Sequence, residues 1–315
     1  MINFRYHVVS LAAVFLALAV GLIVGTAAAN GPVTDSLKAR YDEVSATNQQ
    51  LRDEVNQQNT DLQKAGDFAT DIAPAYLAGK LTGKRVLVLS LEGNGTDVDK
   101  TVSAISTFLG NAGAKVTGTV KIREKFGAPS SKAQLLDLAE SSAPPSVSGA
   151  LPNQSDGVDS SAALLAAILV GKTGTAPVDG VREVLSAYES QGYLSVDGDF
   201  TAPAEATVLV AGVPTTGKDA KDRAAAALTV INRFDQAGRL VVVGLAPGGP
   251  VQAVRGDSSL AKSVSTVDDA DTAQGQVAAI LALVDRVNGK AVGHYGTGDG
   301  ASSLIPKPAS TQNGS

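Results

Sequence analysis

Arg85–Leu91, RVLVLSL, is the stretch on which the fold turns. It follows Gly83-Lys84 and is a near-continuous apolar run, without the polar alternation of a strand that has one wet face. Runs of this kind form strands buried on both faces, as in parallel sheets covered by helices. The period then changes. From Thr96 to Gly110 the apolar residues Val98, Val102, Ile105, Phe108 and Leu109 recur at helical spacing, with Thr96 or Asp97 as cap. Val116–Ile122 reads as the next strand. Strand, helix and strand make a βαβ unit, whose crossover is right-handed.

The pattern returns downstream as a strand over Ala206–Val213, a helix over Ala220–Ala237 and a strand over Arg239–Leu245. Val264–Val267 adds a short strand, and Thr272–Val287 a last long helix. Between the halves, Lys132–Glu140, Ser160–Val170 and Val178–Gln191 read as helices, and Pro144–Gly157 as a Pro/Ser/Gly-rich loop. The expectation over residues 80–295 is a three-layer α/β domain with a mainly parallel sheet. From Gly296 the composition turns to Gly, Ser, Pro and Asn, the signature of a disordered tail over 296–315.

Upstream lies a run of 22 residues without a charge, Val8–Ala29 (VVSLAAVFLALAVGLIVGTAAA). At about 1.5 Å per residue it is long enough for a bilayer's hydrocarbon core. Ala27-Ala28-Ala29 also resembles a signal cleavage site, but the run exceeds the usual signal core of about 7–15 residues. The expectation is an uncleaved anchor over 1–30. Arg5 before the run favours a cytoplasmic N-terminus, with the bulk of the chain extracytoplasmic. Small residues Ala13, Ala17, Gly21, Gly25 and Ala29 share one face. Gly21 and Gly25 form the small-xxx-small pattern that lets membrane helices approach closely, though alanine-rich spans also produce such ladders by chance. The span holds no ionisable side chain, so one copy cannot line an ion pathway.

Asn30-Gly31-Pro32 reads as a break, after which a second helix starts with Thr34 or Asp35 as cap and runs over 31–75. Leu37, Val44, Leu51 and Gln58 take d positions, and Tyr41, Asn48, Val55 and Leu62 take a positions. That is the seam of a two-stranded coiled coil, with Asn48 as the polar core residue that selects a parallel, in-register pair. The e and g positions carry no complementary charge code, so an amphipathic helix packed on its own domain stays an alternative. The dimerisation residues expected are Gly21, Gly25, Leu37, Tyr41, Val44, Asn48, Leu51 and Val55.

Composition narrows the chemistry. Net charge is −5, which argues against nucleic acid as a partner. The chain has no cysteine and no tryptophan, one methionine (Met1) and two histidines (His7 and His294). That removes disulfides, thiolate nucleophiles and cysteine metal sites. No catalytic triad can be built around His294, and no nucleophile elbow appears, so neither an enzyme nor a cofactor is expected. Two glycine-bearing loops follow strands, Glu92-Gly93-Asn94-Gly95-Thr96-Asp97 and Ala246-Pro247-Gly248-Gly249-Pro250. They read as ordinary turns or as anion-presenting loops, but neither has a nucleotide-binding spacing. Asp268, Asp269 and Asp271 could hold a hard cation, or supply negative charge and a cap to the following helix. His294 and Tyr295 sit in Gly293-His294-Tyr295-Gly296, where a lone histidine without a second nearby ligand reads as structural or exposed.

The stretch Ile2–Gly21 (INFRYHVVSLAAVFLALAVG), the heptads, the Arg85–Leu91 strand, Ser265-Thr266-Val267-Asp268 and His294-Tyr295-Gly296 together resemble the MctB-type family of actinobacterial envelope proteins. The resemblance implies a mycolate-type Gram-positive host and copper transport or homeostasis. For some members it also implies control of cell separation and peptidoglycan hydrolysis beside a membrane-associated partner called SteA. It carries no catalytic residues. Copper(I) prefers thiolate or thioether and copper(II) imidazole, ligands this chain scarcely has. The expectation is therefore a single-pass, dimeric envelope scaffold or regulator with a SteA-like partner, and copper handling as the alternative.

Overall fold

A computed structural model describes residues 4–29, 32–93, 98–152, 156–171, 178–213 and 216–307. The chain divides into two compact units, Met1–Ala65 and Gly66–Ser315.

The first unit is helical. Helix α1 (Phe4–Ala29) is, among the described residues, the one helix long and apolar enough to cross a membrane. Its Thr26 hydroxyl donates to the Leu22 carbonyl at 2.8 Å, so this polar side chain is satisfied along its own helix. Helix α2 (Pro32–Leu77) begins two residues before the expected cap. Proline suits a first helical position, where its missing N–H would have no partner, and Asp35 then lies in the first turn, where negative charge is favoured. Asn30 and Gly31, the expected break, lie outside the described residues. Leu37, Tyr41, Val44, Leu51, Val55 and Leu62 are all exposed along α2.

In the second unit the last turns of α2 pass residue 75 and bury Ala69, Ala73 and Leu77. Strand β1 (Arg85–Leu91) then enters the middle of a seven-stranded sheet. Helix α3 (Asp99–Asn111) leads to β2 (Lys115–Ile122), parallel to β1. The expected caps of α3, Thr96 and Asp97, lie outside the described residues, as do Asn94 and Gly95. Three helices follow: α4 (Lys132–Ser142), α5 (Gly157–Leu169) and α6 (Val178–Ser190). They lead to β3 (Leu194–Asp197), an antiparallel edge strand beside β2. The chain next crosses to the other side of β1. There β4 (Ala206–Ala211), α7 (Ala220–Ala237) and β5 (Arg239–Gly244) form the second parallel unit. Helices α8 (Gly249–Gly256) and α9 (Leu260–Ser263), β6 (Ser265–Val267), α10 (Ala273–Val287) and β7 (His294–Tyr295) complete it. The strand order is β3-β2-β1-β4-β5-β6-β7.

Alternate residues of the central strands feed two cores. Leu87, Leu89 and Leu91 of β1 join Leu164 of α5 and Val230, Ile231 and Phe234 of α7. Val86 and Val88 join Val102, Ile105 and Leu109 of α3, and Ile280 and Leu283 of α10. Right-handed crossovers running in opposite directions from the centre require their helices on opposite faces, and α3 and α7 are so divided. The RVLVLSL run is apolar at both parities because both faces of β1 are covered.

Two short strands depart from the expectation. β3 is four residues with a polar majority of exposed or half-buried positions, and β7 is a dipeptide. The segment after Gly296 also departs from the expected free tail. Gly296 N–H donates to the Ser303 carbonyl at 3.0 Å, Ser302 N–H donates to the His294 carbonyl at 2.8 Å, and Pro306 is buried. Residues 308–315 lie outside the described residues.

Candidate functional site

In an open parallel sheet, ligands sit beyond the carboxyl ends of the strands, where neighbouring connections diverge to opposite faces. Here that point lies between β1 and β4. The two chains leave it in close contact: a Cβ on Gly93 would stand 2.3 Å from the Val213 carbonyl oxygen, and one on Gly212 would stand 2.8 Å from the Gly93 nitrogen. Only glycine allows that approach. Beside it opens a cleft of about 170 Å³. Its floor is Leu91, Ile122 and Phe126, and Ala224, Ala227 and Pro250 form part of its walls.

Charges gather at its mouth. The Arg223 guanidinium pairs with Glu124 at 2.6 Å, and the Glu124 N–H donates to a Glu92 carboxylate oxygen at 3.1 Å. Arg223 Nε is buried without a hydrogen-bond partner. Of the two glycine loops, the first lies outside the described residues from Asn94 to Asp97. The second is described, with Gly248 and Gly249 at φ 111° and 54°, and it places Gly249 and Pro250 in the cleft wall at the start of α8. Arg223, Glu124 and Phe126 had no signal in the sequence, because they come together from segments about 100 residues apart.

Further along the same edge of the sheet, at β6 and β7, lies a filled polar knot. Arg255 of α8 and Asp268, just past β6, form a fully enclosed ion pair at 2.6 Å. Arg255 Nε donates to Thr266 Oγ1 (2.9 Å), Nη1 also to the Asp299 carbonyl (3.0 Å), and Nη2 to the Tyr295 carbonyl (2.7 Å). Asp268 accepts the N–H groups of Thr297 (2.6 Å) and Gly298 (3.1 Å). The carboxylate expected to cap the last helix or bind a cation instead ties down Thr297 and Gly298. The cap of α10 is Thr272, which accepts from Gly275 N–H at 3.1 Å. Its hydroxyl is nearer the helix start than any of the three aspartates.

Asp269 sits at φ 71°, with one carboxylate oxygen buried and unpartnered. Burial, reinforced by Asp268 and Asp271, pushes its carboxyl up to about 6. Asp271 is exposed. Among the described residues, no group of three or more His, Asp or Glu side chains could hold a metal ion. His294 has both ring nitrogens engaged, Nδ1 with Thr266 Oγ1 at 2.9 Å and Nε2 with the Ala261 carbonyl at 3.1 Å. Burial and the nearby Arg255 charge lower its pKa, against the raising effect of the Ala261 contact. To bind copper it would have to break one of these bonds. Tyr295 is buried beneath the knot.

The expected dimerisation residues lie on α1 and α2. A Cβ on Gly21 or Gly25 would meet nothing within 4 Å, and Leu37, Tyr41, Val44, Leu51 and Val55 have no apolar cover. Asn48, at the polar seam position, donates to its own helix at the Val44 carbonyl, 3.1 Å away.

Comparison with known proteins covers nearly the whole chain. Residues 1–306 match the family described as "Copper transport outer membrane protein, MctB". The chain is 31% identical to the copper transporter MctB of Mycobacterium tuberculosis (strain ATCC 25618 / H37Rv) over 314 residues, covering 96% of this chain and 99% of that protein. It is 30% identical to the copper transporter MctB of Mycobacterium leprae (strain TN), with the same two coverages. The protein belongs to the MctB family.

Proposed function

We propose that this chain is a membrane-anchored protein of the cell envelope that serves copper transport or homeostasis. The supporting observation is full-length similarity to proteins named copper transporters, over 96% of the chain. Copper would be cargo handled by an assembly rather than an ion held by this chain alone. The soft and borderline donors are Met1, His7 and His294, and the ring nitrogens of His294 are already spent. A single apolar span likewise needs further copies or a partner to line a path.

In our proposal the N-terminus is cytoplasmic, α2 is a coiled-coil stalk and the outer domain carries its sheet between two helical layers. The chain is a parallel homodimer through Gly21, Gly25, Leu37, Tyr41, Val44, Asn48, Leu51 and Val55. The uncovered apolar stripe of α2 favours this pairing, and tethering to one membrane raises the effective concentration of the two strands. The same stripe favours a second role, a scaffold for cell-wall remodelling or cell separation with a SteA-like partner.

Deletion of the gene in its host, with complementation, separates the two. Copper transport predicts lower copper tolerance and altered cell copper, restored by the full chain and by His294→Ala but not by a chain lacking residues 4–29. Unchanged copper tolerance and content would overturn the copper role, and a cell-separation defect alone would favour the scaffold.

A further inference from the structure

The cleft between β1 and β4 has features of a binding site that copper chemistry leaves unused. Its volume of about 170 Å³ compares with the roughly 150 Å³ of an apolar cavity that takes up benzene. Leu91, Ile122, Phe126 and Val230 supply apolar surface, and small Ala224 and Ala227 leave the space open. Its polar lining leaves one donor unmatched. Arg223 Nε–H is buried without an acceptor, although Glu124 occupies another nitrogen of the same guanidinium. A buried donor without an acceptor destabilises the fold, and an incoming oxygen would relieve that. Arg123, exposed at the mouth, makes no ion pair among the described residues. Of the two carboxylates in the lining, Glu124 is paired with Arg223, and Glu92 accepts the Glu124 N–H and keeps its charge. The first turns of α7 and α8 also reach the cleft, at Ala220 and Gly249, and helix starts favour anions.

We propose that this cleft binds a small amphipathic anion. Its apolar body, about the size of a benzene ring, lies on Leu91, Ile122 and Phe126, and its single carboxylate or phosphate faces Arg123 and Arg223. The site depends on neither copper nor dimerisation.

The experiment uses the full chain in lipid nanodiscs, which avoids detergent as a competing amphiphile. Sodium benzoate is the probe, with benzylamine as the cation of similar shape and acetate as the anion without an apolar body. Thermal unfolding and saturation-transfer NMR are the readouts. Benzoate binds saturably and raises the unfolding temperature, while benzylamine and acetate do neither. Arg123→Gln weakens benzoate about tenfold, the scale of one hydrogen bond to a charged group. Ala224→Phe fills the cleft and abolishes binding. Ala224 is exposed, so this variant should fold; Ala227→Met tests the same point from another position. Absence of saturable benzoate binding, equal binding of benzylamine, or undiminished binding in a folded cleft-filled variant would overturn the proposal.

Discussion

Two places along the carboxyl edge of one sheet, its middle and one end, are built in opposite ways. The Arg255–Asp268 pair is enclosed and hydrogen-bonded, and the chain itself fills the space around it. Between β1 and β4 the walls are apolar, the space is open, and one buried donor has no acceptor. The region richest in conspicuous residues, with three aspartates, a histidine and a tyrosine, is therefore a structural fastening. The cleft, which has no such cluster in the sequence, has room for a ligand. Charged residues close in sequence reveal a site only when their bonding capacity is left over; for Arg255, Asp268 and His294 it is consumed, and Asp269 keeps one buried oxygen without a partner.

The largest test of this contrast is Arg255→Ala. It strands Asp268 as an enclosed, unpaired carboxylate and is expected to cost about 3–5 kcal/mol in denaturant unfolding. A loss under about 1 kcal/mol would mean the knot fastens nothing. Gly296→Ala comes next. A Cβ there would stand 2.1 Å from Asp268 Oδ1 at φ 119°, so about 2 kcal/mol should be lost, with faster proteolysis after residue 296. The smallest effect is Asp269→Asn, and its sign depends on pH. The Asp269 carboxyl is held at about 6 in the folded chain against an ordinary aspartate value of 3.8, so folding favours its protonated form. The native state is then best served below about pH 4, and loses stability as pH rises through about 4 to 6. At about pH 7 the asparagine variant should be more stable by about 1 kcal/mol, after discounting for partial exposure, and the gain should vanish by about pH 4. A gain that persisted at low pH would place the strain in the backbone rather than in the charge.

How legible each part was in the sequence follows from where its order comes from. RVLVLSL could be read because a strand covered on both faces has no polar positions, and α7 matched Ala220–Ala237 because its buried Ala226, Val230 and Phe234 keep helical spacing. The segment after Gly296 misleads for the converse reason. Its order is set by bonds from Arg255 and Asp268, and no apolar run advertises them. Asp268 resembles a helix cap because of its place in the chain, whereas its partners lie up to 30 residues away. The cleft left almost no trace, since its lining comes from strand ends and helix starts spread from Leu91 to Ala253. Its local signs were the two glycine-bearing loops, which contribute Glu92, Gly249 and Pro250 to the lining but lack a nucleotide-binding spacing.

The central position of β1 also sets a schedule for folding. Val86 pairs with Ala206, so one whole edge of this early apolar strand stays unpaired until β4 has been made. At roughly 5–20 residues per second, synthesis leaves that edge bare for on the order of ten seconds. Such non-local pairing is slow, and an open apolar edge invites aggregation. The nascent chain thus passes through a vulnerable window in which escort by a chaperone would matter more than it does for the finished protein.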